Sequence, residues 1–140
     1  MNLAAIFKPR RLALVVCAVT ALTLAGCASL QPQTSEQIVE ARANQRWQHL
    51  IAGDVPDAYA MLQESYRQTT PYERYRTNVA NGSWVRAKVI SISCTEEVCT
   101  VRISLEAKPP LGVRYGGNIT TGLDETWIRE SGQWYFKPRP

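Results

Sequence analysis

The 140-residue chain changes its hydrophobic period near Asn81-Gly82, and this change limits the folds open to it more than any other feature. Before this point apolar residues recur at helical spacing, about every 3.6 residues. After it they alternate with polar residues, which is the period of a half-buried strand. The sequence therefore predicts an α+β domain, with N-terminal helices packed on a curved antiparallel sheet of about four strands.

Three helices are predicted before the change. The first begins at Thr34 or Ser35, either of which can cap it, and ends at Gly53. Its apolar face consists of Val39, Ala43, Trp47, Leu50 and Ile51. Asp54 is predicted to cap a second helix, for which one face consists of Val55, Tyr59, Leu62 and Tyr66. A third, short helix fits residues 70–76.

The strand half begins with a predicted hairpin in which apolar residues alternate from Cys99 to Ala107. Hairpin pairing places three apolar pairs on one face: Cys94 with Cys99, Ile92 with Val101, and Ile90 with Ile103. Earlier in the first strand the apolar residues have the opposite parity, so a bulge is predicted near Lys88 to Ile90. A second hairpin is predicted from residues 118–128, a turn at 130–133 and a closing strand at 134–136.

The N-terminus has the composition of a secretory leader. Three basic residues lie in the first eleven, and an apolar run of 14 residues follows from Leu12 to Ala25. The next residues complete Leu24-Ala25-Gly26-Cys27, which resembles the lipobox of bacterial lipoproteins. The resemblance implies a signal peptide at 1–26, lipidation of Cys27, a tether at 27–35 and a single domain at 36–138. Ala28 and Ser29 after the lipidated Cys27 imply the periplasmic face of the outer membrane.

Removal of the leader changes the charge and the cysteine count. The 16 basic and 12 acidic residues of the whole chain become 13 and 12, so the mature domain is nearly neutral and nucleic acid is not expected as a partner. Cys17 leaves with the leader and Cys27 takes the lipid, which leaves Cys94 and Cys99. In an oxidising envelope these two are expected to form a disulfide, since their spacing differs from that of Cys-x-x-Cys metal or redox sites.

A resemblance to a fold family emerges from the order of the elements together with two short motifs. Gly53-Asp54 is followed by Ala58-Tyr59, and the chain closes on residues 127–135, Trp-Ile-Arg-Glu-Ser-Gly-Gln-Trp-Tyr. Over residues 36–137 the chain resembles the nuclear-transport-factor-like superfamily, whose cystatin-like cone is also called SnoaL-like. The resemblance implies a sheet curled around the helices, a mouth that can hold a ligand, and homodimers through the sheet. Enzymes, binders and assembly domains all share this fold, so the fold does not give the function.

Few residues offer catalytic chemistry. His49 is the single histidine and no Gly-x-Ser-x-Gly motif supplies a nucleophile, so His49 is predicted to be a partly exposed helix residue. An isomerase-like site in the cone would need an acid facing Tyr59 or Tyr66. The acids considered are Asp57, Asp124 and Glu125. Because acids at such positions are usually solvated, we predict no catalytic residue, no metal site and no cofactor.

The aromatic and arginine residues leave more than one interpretation open. Most of the aromatic residues can simply fill the core, while a few could line a cone pocket or contact a partner. The candidates for that second role are Trp47, Tyr59, Tyr66, Trp84 and Trp127. Four arginines near the third helix could form an anion or partner patch, or a solvated face offset by Glu64 and Glu73. They are Arg67, Arg74, Arg76 and Arg86.

Three functions are therefore weighed. The leading hypothesis is a non-catalytic envelope lipoprotein that is anchored in the membrane by Cys27 and binds a protein partner in an assembly. The alternative is a lipoprotein that binds a small apolar ligand in the cone. The least favoured is an isomerase or dehydratase-like enzyme, which requires the facing acid and tyrosine described above.

Overall fold

The computed structural model describes residues 32–109 and 116–139. The predicted signal peptide, the lipidation site Cys27 and most of the tether lie outside the described residues. Within them, no helix combines the length and apolar character that a membrane-spanning segment needs.

Helix α1 spans Ser35–Ala52 and confirms the first predicted helix. The Thr34 hydroxyl accepts a hydrogen bond from the Gln37 backbone N–H at 3.3 Å, and the Gln37 side chain accepts one from the Thr34 N–H at 3.0 Å. This reciprocal capping satisfies two backbone donors that would otherwise lack partners. Gly53 ends the helix with φ 80°, a left-handed conformation that glycine adopts without strain. Ile51, predicted to be on the buried face, is instead exposed.

The predicted second helix is interrupted, because it forms two short helices, α2 at Val55–Ala60 and α3 at Glu64–Thr69. The residues between them pair with the last strand of the sheet. The Phe136 N–H donates to the Met61 carbonyl at 3.0 Å, and the Gln63 N–H donates to the Phe136 carbonyl at 2.8 Å. Leu62 is thereby fully buried. The single helical face drawn through Val55, Tyr59, Leu62 and Tyr66 was wrong, since periodicity alone does not reveal this pairing with a distant strand.

Helix α4 spans Tyr72–Val79, with Pro71 at the N-cap position. The predicted helix at 70–76 therefore exists but begins and ends later. The extended backbone of Pro71, at ψ 153°, keeps Thr70 and Pro71 outside the helix. Tyr75 is the buried residue of α4 and points into the domain interior.

A four-stranded antiparallel sheet follows, in the order β1-β2-β3-β4. The strands are β1 at Trp84–Cys94, β2 at Val98–Ala107, β3 at Ile119–Glu130 and β4 at Gln133–Lys137. Helix α1 packs against the sheet, mainly on β1. The core lies between them and includes Val39, Ala43, Leu50, Val101, Ile103, Leu105 and Trp127. The structure thus confirms the predicted α+β fold with a curved, open sheet.

The register of the first hairpin is confirmed near its tip and shifted farther along. Cys94 faces Cys99 and Ile92 faces Val101, as predicted. The register shifts between Val89 and Ser91, which confirms the bulge. As a result Val89, and not Ile90, faces Ile103, and Ile90 is 57% exposed.

The Cys94 and Cys99 sulfur atoms lie 2.04 Å apart, a bonded pair that closes the hairpin tip. Because the bond restricts only a short loop of the unfolded chain, we expect reduction to lower the free energy of unfolding by roughly 2 kcal/mol. Urea titration of the isolated domain with and without dithiothreitol measures this difference. The Cys94→Ala/Cys99→Ala variant is the control, and its urea midpoint should not respond to dithiothreitol. An unchanged midpoint for the natural domain would contradict the prediction.

Candidate functional site

Glu125 lies inside the domain with 2% of its surface exposed. It is two residues from Trp127 on β3, so both side chains share the inner face of the sheet. The expectation that the candidate acids are solvated holds for Asp57 and Asp124, which are exposed, and was wrong for Glu125. The reason is strand parity, because an inward position between Leu123 and Trp127 overrides the usual preference of a carboxylate for water.

Three donors of the chain occupy the Glu125 carboxylate. Arg46 Nη1 donates to Oε1 at 2.7 Å, and Trp47 Nε1 donates to the same oxygen at 2.9 Å. Trp127 Nε1 donates to Oε2 at 3.0 Å. Both oxygens therefore accept hydrogen bonds, which is what a buried ionised carboxylate requires. The Glu125 carboxylate therefore serves as a hydrogen-bond acceptor within the fold.

The Arg46 guanidinium completes this arrangement from helix α1. It is almost fully buried, and its central carbon lies 3.9 Å from the centroid of the Phe136 ring. The ion pair with Glu125 and the contact with the Phe136 ring together offset the free-energy cost of removing the Arg46 cation from water. A cleft of about 230 Å³ has Arg46 and Glu125 in its lining, together with Lys137 and Arg139.

Tyr75 is a buried residue with an ionisable hydroxyl group. It is 4% exposed, and its hydroxyl has no hydrogen-bond partner among residues 32–109 and 116–139. Burial raises the pKa of the Tyr75 hydroxyl, and the nearby Arg46 guanidinium offsets only part of this effect. The phenol is consequently neutral at physiological pH.

The raised pKa of Tyr75 predicts a loss of stability in alkali. Since the unfolded chain releases this proton at a lower pH than the folded domain, Tyr75 lowers the free energy of unfolding as the pH rises above about 10. We expect Tyr75→Phe to reduce this alkaline loss and to cost little stability at pH 7. Urea midpoints at pH 7, 9 and 10.5 measure both effects. Tyr135→Phe is the control, and identical pH profiles for the natural domain and Tyr75→Phe would count against the assignment.

The five aromatic candidates do not form one site. Trp47, Trp84 and Trp127 share the core region, with the Trp47 and Trp84 rings edge to face at 5.5 Å. Tyr59 donates a 2.8 Å hydrogen bond to the Thr70 carbonyl and packs against the rings of Tyr72 and Tyr75. Tyr66 alone lines the large surface cleft described below. Most of these residues therefore have a packing role in the fold.

A cleft of about 610 Å³ opens between helices α3 and α4 and the end of β4. Its lining residues are Gln63, Ser65, Tyr66, Thr69, Thr70, Arg74, Asn78, Lys137, Pro138 and Arg139. Three of these are cationic and none is acidic. Lys137 and Arg139 were missed from the sequence, although the basic run Lys137-Pro138-Arg139 after the closing strand was a signal.

The four arginines of the predicted patch have separate environments. Arg76 pairs with Glu73 at 2.7 Å, and Arg86 pairs with Glu106 at 3.4 Å. Arg67 is partly buried, and Arg74 lines the cleft. The predicted offset by Glu73 is therefore seen at Arg76, while Arg74 contributes its charge to the cleft.

His49 is a partly exposed residue of α1, as predicted. Its Nδ1 lies 3.2 Å from an Asp54 carboxylate oxygen and 4.0 Å from one of Asp57. Imidazole and carboxylate are metal-ligand chemistries, but both acids are exposed and Asp54 already contacts His49 directly. Asp54 lies at the N-cap position of α2, as predicted, but its side chain contacts His49 and makes no capping hydrogen bond.

No family model and no curated protein matches the chain. Solved structures resemble it at low identity. A SEC-C motif-containing protein from Rhodopseudomonas palustris has a TM-score of 0.58 at 15% identity, with 71% of this chain and 74% of that chain covered. Another SEC-C motif-containing protein, from Psychrobacter arcticus, has a TM-score of 0.59 at 10% identity, with 77% and 63% covered.

A third solved structure links this fold to NTF2-like proteins. It is a Campylobacter jejuni protein described as an NTF2-like transpeptidase, with a TM-score of 0.55 at 10% identity, covering 72% of this chain and 98% of that chain. At such identities the likeness shows the fold alone. The chain therefore has an NTF2-like cone fold, in agreement with the resemblance found in the sequence.

Proposed function

We propose that this chain is a lipid-anchored protein of the bacterial cell envelope, and that its domain is a non-catalytic module that binds a protein partner. The lipid on Cys27 holds it at the periplasmic face of the outer membrane. The observation that supports this function best is the occupied interior of the cone, where the chain's own donors engage both oxygens of Glu125. A buried acid used in this way stabilises the fold instead of serving a substrate.

Two further observations weigh against the isomerase-like alternative. Of the two tyrosines considered for this alternative, Tyr59 donates its hydroxyl to the Thr70 carbonyl at 2.8 Å, and Tyr66 lines the surface cleft. Arg46 of helix α1 also donates to the Glu125 carboxylate at 2.7 Å, and the Arg46 guanidinium packs on the Phe136 ring. The alternative of an apolar ligand fits poorly with the 610 Å³ cleft, since three of its lining residues are cationic and none is Val, Leu, Ile, Met or Phe.

The anchor can be tested by intact mass measurement of the protein extracted from its own membranes. We expect a chain that begins at Cys27 and carries a diacylglyceryl group and an amide-linked acyl chain, which together give stable membrane binding. The Cys27→Ala variant should lack these groups and appear in the soluble fraction. An unlipidated natural protein in the membrane fraction would contradict the anchor.

The partner can be tested by native mass spectrometry of the same gently extracted protein. A stoichiometric complex with a second protein supports the proposed module. A homodimer without another protein would assign the binding surface to self-association. A co-purifying small molecule without a protein partner would favour ligand binding and overturn the proposal.

A further inference from the structure

We infer that the cleft between α3, α4 and the end of β4 binds a carboxylate-rich segment of the partner protein. This inference rests on the proposed function and names the surface that carries it out. The cationic lining residues are Arg74 on α4, Lys137 at the end of β4, and Arg139 just beyond it. A cleft with cations and no acid concentrates positive potential, which favours an anionic occupant.

The cations of the cleft have no acidic partner among the described residues. Some exposed arginines outside the cleft are paired, as in the Arg76–Glu73 and Arg102–Asp124 pairs at 2.7 Å, whereas the exposed Lys88, Lys108 and Arg129 are single cations that do not share a cleft with the others. All acidic residues of the chain lie in the described ranges, yet no carboxylate lies within ion-pair distance of the Arg74 or Lys137 side chain there. Arg139 donates only to the Asp124 backbone carbonyl, at 3.4 Å. Three cations thus remain available to an external anion.

The remaining lining residues suit a peptide. Ser65 and Thr70 contribute hydroxyl groups from α3 and its C-terminal end, and Asn78 contributes an amide, while the Thr69 hydroxyl already donates to the Tyr66 carbonyl at 3.1 Å. Such groups can bond to the backbone of an extended segment, while the Tyr66 ring offers an apolar contact. The three cations are exposed and come from two separate elements, so they suit several carboxylates along a segment. The other amide of the lining, that of Gln63, already donates to the Glu130 carboxylate at 2.7 Å.

A labelled hexaglutamate peptide is the probe for direct binding. Fluorescence polarisation at low salt should show saturable binding that weakens as salt is added. We expect Arg74→Glu/Lys137→Glu to weaken the affinity by about 10-fold or more, because like charges then meet in the cleft. Arg76→Glu/Arg86→Glu is the matched control, since it changes the net charge equally outside the cleft, and its affinity should fall much less.

Three results of this titration would overturn the inference. One is the absence of hexaglutamate binding to the natural domain, and another is an equal loss in both double variants. The third is binding of phosphatidylglycerol vesicles that depends on Arg74 and Lys137 when hexaglutamate does not bind, which would assign the cleft to a lipid surface. Circular dichroism checks the fold, and Arg139→Gln, which lies beyond the end of β4, serves as a second variant if the double variant unfolds.

Photo-crosslinking in intact membranes separates this inference from the proposed function. A crosslinker at Thr69 probes the cleft, and one at Thr100 probes the outer face of the sheet. Crosslinking through Thr69 that disappears in Arg74→Glu/Lys137→Glu supports the inference. Crosslinking to a protein through Thr100 alone would refute the cleft and leave the proposed function standing. The absence of a protein crosslink from both positions would count against both.

Discussion

Replacing Glu125 with alanine should lower the free energy of unfolding by about 3–5 kcal/mol, because it leaves a buried charge without its partner. Arg46 has no other carboxylate within ion-pair distance in the described part of the chain. The indole N–H groups of Trp47 and Trp127 lose their acceptor at the same time. Urea denaturation followed by circular dichroism at pH 7 measures the loss, with Asp124→Ala as the exposed control.

A double substitution tests whether the charge itself causes the loss. In Arg46→Met/Glu125→Leu neither charge remains, and replacement of a buried ion pair by apolar residues is often close to neutral. We therefore expect the double variant to have a larger free energy of unfolding than Arg46→Met alone or Glu125→Leu alone. If the losses simply add, the two residues do not act as a pair and the interior is held by packing alone.

The parts of the fold that were predictable from the sequence are those set by local rules. Thr34 and Gly53 bound α1 because capping and left-handed backbone are properties of single residues. The bulge near Val89 was also predictable, because a change of parity within one strand requires an extra residue. Such features need no knowledge of distant parts of the chain.

The features that were missed depend on long-range contacts. The break between α2 and α3 arises from the pairing of Met61 and Gln63 with Phe136, more than 70 residues away. The burial of Glu125 was missed for the same reason, since its partner Arg46 lies 79 residues earlier in the chain. Parity on β3 did place Glu125 beside Leu123 and Trp127, but only the approach of α1 shows that a buried carboxylate is satisfied there.

The cleft shows how a site can form from residues that appear unrelated in the sequence. Arg74 belonged to an arginine cluster that appeared to be offset by nearby acids, and Lys137 followed the predicted closing strand. The fold brings the end of β4 beside α3 and α4, while Glu73 pairs with Arg76 and leaves Arg74 without an acid. The net charge of the chain did not reveal this, because a nearly neutral domain can still concentrate its cations in one cleft.

Trp127→Ala should lower the free energy of unfolding by about 3–5 kcal/mol, an effect comparable to that of Glu125→Ala but with a different cause. The Trp127 side chain is fully buried, and its ring centroid lies 5.9 Å from that of Phe136. Alanine removes this contact area and leaves a cavity in the core between the sheet and α1.

Trp127→Phe separates packing from hydrogen bonding. Phenylalanine keeps most of the buried ring but removes the 3.0 Å hydrogen bond to Glu125 Oε2. The Glu125 carboxylate then keeps Arg46 and Trp47 on its other oxygen, so we expect a loss well below that of alanine. Urea denaturation of both variants gives the comparison. Equal losses in the two variants would mean that Trp127 stabilises the domain through its indole N–H and not through the packing of its ring. The hydrogen bond to the Glu125 carboxylate would then be the main contribution of Trp127 to stability.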